Sequence, residues 1–167
     1  SLSLGGFGNP DDPSSVAIDN VVEAGVVAVV AAGNSGPSEN TIGSPGTARK
    51  AITVGASDKN DNIAYFGSRG PVVWRDDERD IKGLMKPDIT APGVNICAAY
   101  AQGVSIWDDR KCLDENHVAI SGTSMATPHV AGAVALLLQK NSDWTPDEIK
   151  MALRNTAKDL SPEKICD

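Results

Sequence analysis

The stretch Val26-Val27-Ala28-Val29-Val30-Ala31-Ala32-Gly33-Asn34-Ser35-Gly36-Pro37 decides the fold. Its first seven residues are all apolar and four are valine, the pattern of a strand buried on both faces. The run is far too short to span a bilayer. Before it, Ser14 to Ala24 reads as a helix. Asp12, Ser14 and Ser15 offer capping oxygens, Ala17, Ile18, Val21 and Val22 form one apolar face, and Gly25 stands where a helix stops. After it, a loop rich in Gly, Ser, Asn and Pro runs from Gly33 to Thr47, and Ala51 to Ala56 is a second apolar strand. Helix, buried strand, loop and buried strand in that order predict an α/β fold with a parallel sheet.

Further out, Gly70 to Lys86 contains Trp74-Arg75-Asp76-Asp77-Glu78-Arg79-Asp80 and reads as a charged surface excursion. Ile89, Val94 and Ile96 suggest short strands around Pro92-Gly93. Gln102 to His117 is a second polar excursion, and Val118 to Ile120 a short strand. From Ser124 to Lys140 the sequence is apolar almost all round, which predicts a helix buried on every side. Thr145-Pro146-Asp147-Glu148 is a capping box with proline at the first helical position, and it opens a last helix with Ile149, Ala152 and Leu153 facing inward. No internal repeat and no linker divides residues 1–167, so they are read as one domain.

Composition narrows the function classes. The chain is 41% hydrophobic and 22% charged, an ordinary globular balance that argues against disorder. A net charge of −7 argues against an extended nucleic-acid surface. Sixteen glycines and ten prolines indicate many tight turns. Cys97, Cys112 and Cys166 form no CxxC pair, against a zinc ribbon or thioredoxin site. Cys97 and Cys112 flank a polar segment that a disulfide would staple; unpaired buried thiols are the alternative.

Two segments carry chemistry. Ala31-Ala32-Gly33-Asn34 follows the buried strand, and Ser121-Gly122-Thr123-Ser124-Met125-Ala126-Thr127-Pro128-His129-Val130-Ala131-Gly132 opens the apolar helix. Both fall at carboxyl ends of strands, where open α/β sheets place their sites. Ser124 at a helix N-terminus meets free N–H groups and the positive end of the dipole, and Asn34 brings an amide donor on a glycine-flanked turn. A serine nucleophile with an amide donor is part of the equipment of acyl transfer. Taken alone, Ser124 could equally cap a helix and Asn34 hold a turn.

The motifs resemble those of the subtilisin-like serine endopeptidases (subtilases). Gly122 to Gly132 is similar to the family's nucleophile segment, Ala31 to Asn34 to its oxyanion segment, and Ser3-Leu4-Gly5-Gly6 to its cleft strand. Phe66-Gly67-Ser68-Arg69-Gly70-Pro71 and Lys86-Pro87-Asp88-Ile89-Thr90-Ala91-Pro92-Gly93-Val94 match two further blocks in order. The resemblance implies a three-layer architecture, a mostly parallel sheet with helices on both faces, of which this chain is the C-terminal portion. It implies Ser124 as nucleophile, with the Asn34 amide and the Ser124 N–H as the oxyanion hole. Ser3, Leu4 and Gly5 would pair with extended substrate. Ala31, Ala32, Gly33, Gly43 and Gly46 would border the pocket for the residue before the cleaved bond, and Thr123 would support Asn34. The bond matching Ser44-Pro45 is typically cis in the family. Asp88 with carbonyls of Gly46, Ala48 and Ala51 matches a weak site for Ca²⁺ or Na⁺, while the chemistry itself would need no cofactor. An extracellular or cell-surface location is implied by the family alone.

A serine peptidase also needs a general base and a group to orient it. The family's Asp and His blocks have no counterpart here. His129 lies five residues beyond Ser124 on the same helix, about 7.5 Å along the axis and rotated by about 140°, out of reach of the hydroxyl. His117 sits in the polar excursion and matches no role. The expected partners are therefore a peptide or protein substrate and the N-terminal part of the same domain, in cis or as a separate chain. The isolated chain is expected to be inactive. An inactive subtilase-like binding module or a structural fragment is the alternative. Asp58-Lys59-Asn60-Asp61-Asn62 lacks the glycine and glutamate of a calcium loop and reads as a solvated turn.

Overall fold

The computed structural model describes residues 1–76, 78–101, 103 and 105–160. In chain order its elements are α1 (Pro13–Glu23), β1 (Val29–Ala31), β2 (Ile52–Ser57), β3 (Val72–Arg75), β4 (Ile81–Leu84), β5 (Ile89–Pro92), β6 (Ile96–Ala99), β7 (His117–Ile120), α2 (Thr123–Lys140) and α3 (Pro146–Thr156). The central sheet is parallel, in the order β1-β2-β5, with Val30 opposite Thr53 and Gly55 opposite Thr90. Leu2 adds an outer parallel bridge to Val30.

The run of valines separates two cores because side chains alternate along a strand. Val29 points to one face, where it packs with Val54 and Ala56 of β2, Ala126, Val130 and Val134 of α2, and Ile149 of α3. Val30 points to the other, against Val22 and Ile18 of α1. Helices thus cover both faces of the sheet, as expected of this α/β class. Every residue of β1 and β2 is buried, which is why neither alternates in sequence. The capping box forms: Thr145 Oγ1 accepts from Glu148 N–H and the Glu148 carboxylate accepts from Thr145 N–H, holding that carboxyl below its usual range.

Three expectations change. Gly70 to Lys86 is not merely a charged excursion, since β3 and β4 form an antiparallel hairpin there, with Val72 opposite Leu84. Val72, Trp74 and Leu84 pack on Ala32 and Ile42, so one face of the hairpin belongs to a third core. Helix α2 is not buried on every side. Its sheet side is covered, but Pro128, His129, Gly132, Ala135 and Leu136 lie exposed, Leu136 at 68%. The elements packed most closely on α2 are β1, β2, β5 and α3. Val94 falls between β5 and β6 rather than in a strand of its own. Cys97 and Cys112 form a disulfide that staples β6 to the polar segment before β7. Cys166 lies outside the described residues.

Candidate active site

Gly33 turns the chain out of β1 with φ +107°, and a Cβ there would stand 2.8 Å from Ser68 Oγ. That turn delivers Asn34 to the N-terminus of α2. Thr123, fully buried, donates to Asn34 Oδ1 from its N–H (2.9 Å) and from its hydroxyl (3.1 Å), while its Oγ1 accepts from Gly33 N–H (3.2 Å). Because Oδ1 takes both donors, the Asn34 amide orientation is fixed and its NH₂ is left to the cleft. Ser124 follows Thr123 directly, in the first turn of α2, where N–H groups have no intrahelical acceptor.

Pro128 inside α2 has a structural consequence at the same place. Lacking an N–H, it leaves the Ser124 carbonyl without its i+4 donor, and the Ser3 hydroxyl donates to that oxygen at 3.4 Å. Thr127 Oγ1 donates to the Thr123 carbonyl at 2.8 Å, bracing the same turn from the buried side. The cleft strand is thereby tied to the residue beside it.

The strand itself is anchored at both ends. Leu2 N–H donates to Val29 O and Leu2 O accepts from Ala31 N–H, while Gly6 and Ser44 exchange both backbone bonds. Between these anchors Ser3, Leu4 and Gly5 are exposed. Ser3, Leu4, Gly5, Ala31, Ala32, Gly33, Asn34, Gly43, Thr123 and Ser124 all line one cavity of about 460 Å³. Gly46 does not join them. It is buried behind the wall, where its carbonyl accepts from Thr53 Oγ1 at 2.7 Å, and a Cβ there would stand 2.8 Å from the carbonyls of Ala31 and Gly43. The Ser44-Pro45 bond is cis.

The sequence pattern of the subtilase family matches residues 1–166. The chain belongs to the subtilase family. It is 45% identical to serine protease AprX of Bacillus subtilis (strain 168) over 93% of this chain and 36% of that protein. It is 38% identical to subtilisin Savinase of Lederbergia lenta over 99% of this chain and 51% of that protein. A solved cold-adapted subtilisin-like serine proteinase superposes with a TM-score of 0.69 at 31% identity, covering 94% of this chain and 48% of that one. This subtilase chain therefore spans about half, or less, of the length of these relatives.

The cation site expected for the subtilase at Asp88, Gly46, Ala48 and Ala51 does not fit what surrounds it. Lys86 Nζ lies where such a cation would draw on these oxygens, donating to Ala51 O (2.9 Å) and to Asp88 Oδ2 (2.7 Å). Lys150 Nζ, from α3, donates to the same Ala51 O (2.8 Å) and lies 3.1 Å from Asp88 Oδ1. Asp88 Oδ2 also accepts from Thr53 N–H at 2.8 Å. With the Lys86 side chain 1% exposed and the Asp88 side chain 5%, two ammonium groups already satisfy this carboxylate and carbonyl. Burial pushes the Lys86 pKa down to about 8; attraction to Asp88 opposes the shift and the neighbouring Lys150 charge adds to it. Among the described residues, no group of three or more His, Cys, Asp or Glu is placed to hold a metal ion.

Both histidines are engaged locally. His129 Nδ1 lies 2.8 Å from Met125 O, a turn back on its own helix. His117 Nδ1 lies 2.7 Å from Asp114 Oδ1 and holds that carboxyl below its usual range. Asp58 Oδ1 accepts from Asn60 and Asn62 N–H, so that segment is a carboxylate-capped turn. No described helix is long and apolar enough to cross a membrane.

Proposed function

We propose that this chain supplies the nucleophile and the oxyanion hole of a serine endopeptidase. Ser124 Oγ attacks the scissile carbonyl, the negative charge on its oxygen is met by Asn34 Nδ2 and the Ser124 N–H, and expulsion of the amine leaves an acyl-enzyme that water hydrolyses. Ser3, Leu4 and Gly5 pair with the extended substrate backbone. The base and its orienting carboxylate come from the N-terminal part of the same domain, in cis or as a separate chain. The exposed α2 face around Gly132 and Leu136 supports this, since a helix apolar all round calls for cover on its outer side too. The isolated chain hydrolyses nothing, and the whole protein acts on peptides or proteins outside the cell.

The observation that carries the reading is the Asn34 amide, locked by Thr123 beside Ser124 at a helix N-terminus. The test is peptide hydrolysis by protein containing the complete domain. Ser124→Ala should abolish turnover, and Asn34→Ala should lower kcat by about 10²–10³, the loss already measured for the matching donor in a subtilisin. Unchanged kcat in Asn34→Ala would remove the oxyanion role. Steady hydrolysis by the purified isolated chain, lost in Ser124→Ala, would remove the claim that the base lies elsewhere.

A further inference from the structure

Where the family resemblance implies a cation, the chain places two ammonium groups of its own. Three of the four oxygen-bearing residues expected to hold that cation are already engaged. Gly46 O accepts from Thr53 Oγ1 at 2.7 Å. Ala51 O accepts from Lys86 Nζ at 2.9 Å and from Lys150 Nζ at 2.8 Å. Asp88 accepts from Lys86 Nζ on Oδ2 at 2.7 Å, and its Oδ1 lies 3.1 Å from Lys150 Nζ. Lys86 Nζ thus stands between a carbonyl and a carboxylate oxygen, the place an ion would take, at hydrogen-bond lengths rather than the about 2.3–2.6 Å of calcium coordination.

The charges match as well. Two ammonium groups on one carboxylate leave a single positive charge, the same excess that one Ca²⁺ would leave there. A further cation would meet two like charges beside side chains only 1% (Lys86) and 5% (Asp88) exposed, with little water to screen the repulsion. Lys86 and Asp88 lead into β5, Ala51 immediately precedes β2, and Lys150 belongs to α3, so the cluster joins the sheet to the last helix. Unlike a bound ion, these charges are tethered, and neither dilution nor a chelator can remove them. We propose that Lys86 and Lys150 are a built-in substitute for a structural cation: with Lys86 present no metal ion binds at Asp88, and removing its ammonium opens a cation site there.

Thermal unfolding of the complete domain at pH 7 is compared in EDTA and in about 10 mM CaCl₂, and in NaCl against choline chloride of equal strength. Asp88→Asn is the reference, since it lacks the carboxylate and reports the response of every other site. The unsubstituted domain and Asp88→Asn are expected to respond alike, within about 2 °C. Lys86→Glu puts a carboxylate in place of the ammonium and so offers two carboxylates and the Ala51 carbonyl, oxygen donors suited to Ca²⁺. Its midpoint is expected to rise with Ca²⁺ by about 3–6 °C more than that of the unsubstituted domain, the gain from a site of about millimolar affinity at tenfold excess. If Lys86→Glu does not fold, Lys86→Gln, which removes the ammonium without adding a charge, is read in its place, with an extra rise above about 2 °C as the expected result. A cation response of the unsubstituted domain more than about 2 °C above that of Asp88→Asn would overturn the proposal, because a metal ion would then share the cluster with both lysines. Equal Ca²⁺ responses in the unsubstituted domain and the Lys86 variant would also overturn it, because no cation site would lie beneath the ammonium.

Discussion

Replacing Asp88 by Asn probes the buried lysine cluster most sharply. The substitution keeps shape and an acceptor oxygen but removes the single negative charge between Lys86 Nζ at 2.7 Å and Lys150 Nζ at 3.1 Å. Two ammonium groups, on side chains 1% and 14% exposed, then keep neutral acceptors, the Ala51 carbonyl they share, Arg49 O for Lys150 and the amide oxygen, but no counter-charge. Breaking a buried pair in this way costs about 3–5 kcal/mol. At about 2–4 °C per kcal/mol for a chain of this size, the unfolding midpoint should fall by roughly 6–20 °C. Lys86→Met is the comparison. It leaves Asp88 with Lys150 and with the Thr53 N–H, so its cost should be clearly the smaller of the two. The assay is thermal unfolding followed by circular dichroism at pH 6.5, below the value of about 8 at which Lys86 titrates in the unsubstituted fold. An Asp88→Asn midpoint within about 2 °C of the unsubstituted chain, or an equal loss in Lys86→Met, would refute the reasoning.

Other consequences can be checked alongside. The Lys86 pKa is lowered from 10.5 in the unfolded chain to about 8 in the fold, so between those values the unfolded state binds more protons and stability rises with pH. Urea unfolding from pH 7 to 10.5 should show that rise in the unsubstituted chain relative to Lys86→Met; parallel curves would contradict it. Thr123→Val removes one of the two donors to Asn34 Oδ1 and the acceptor for Gly33 N–H, and should lower kcat of the complete domain by about tenfold with KM little changed, the worth of roughly one hydrogen bond. A KM effect alone would place Thr123 in binding rather than in positioning the amide. Leu136→Glu, on the exposed face of α2, should leave the unfolding midpoint of the isolated chain within about 2 °C but weaken its association with a separately expressed N-terminal part. Undiminished co-purification would show that this face is not the contact.

Much of the sheet was legible because burial on both faces leaves its mark on the sequence. The valine run of β1 and the apolar β2 carry that mark plainly, and Asn34 and Ser124 follow the ends of β1 and β7 by three and four residues. The hairpin was hidden by its charges. Only Val72, Trp74 and Leu84 mark its inner face, too few alternations to outweigh Arg75-Asp76-Asp77-Glu78-Arg79-Asp80. The lysine cluster was half legible. Lys86 and Asp88 stand two residues apart in the sequence, whereas Lys150 reaches them only through the packing of α3, which no local pattern encodes. The family resemblance implies Gly46 at the pocket border, whereas its carbonyl turns inward to Thr53 and the residue backs the wall.

The central claim is that Ser124 becomes a nucleophile once a base is supplied from the N-terminal part of the domain. The direct measurement is fluorophosphonate labelling of this chain, alone and after co-expression with that part, with the modified residue located by peptide mass spectrometry. The expected result is no adduct on the chain alone and an adduct on Ser124 in the assembled domain, lost in Ser124→Ala. An assembled, folded domain that takes no label at Ser124, or that takes it at another residue, would contradict the account.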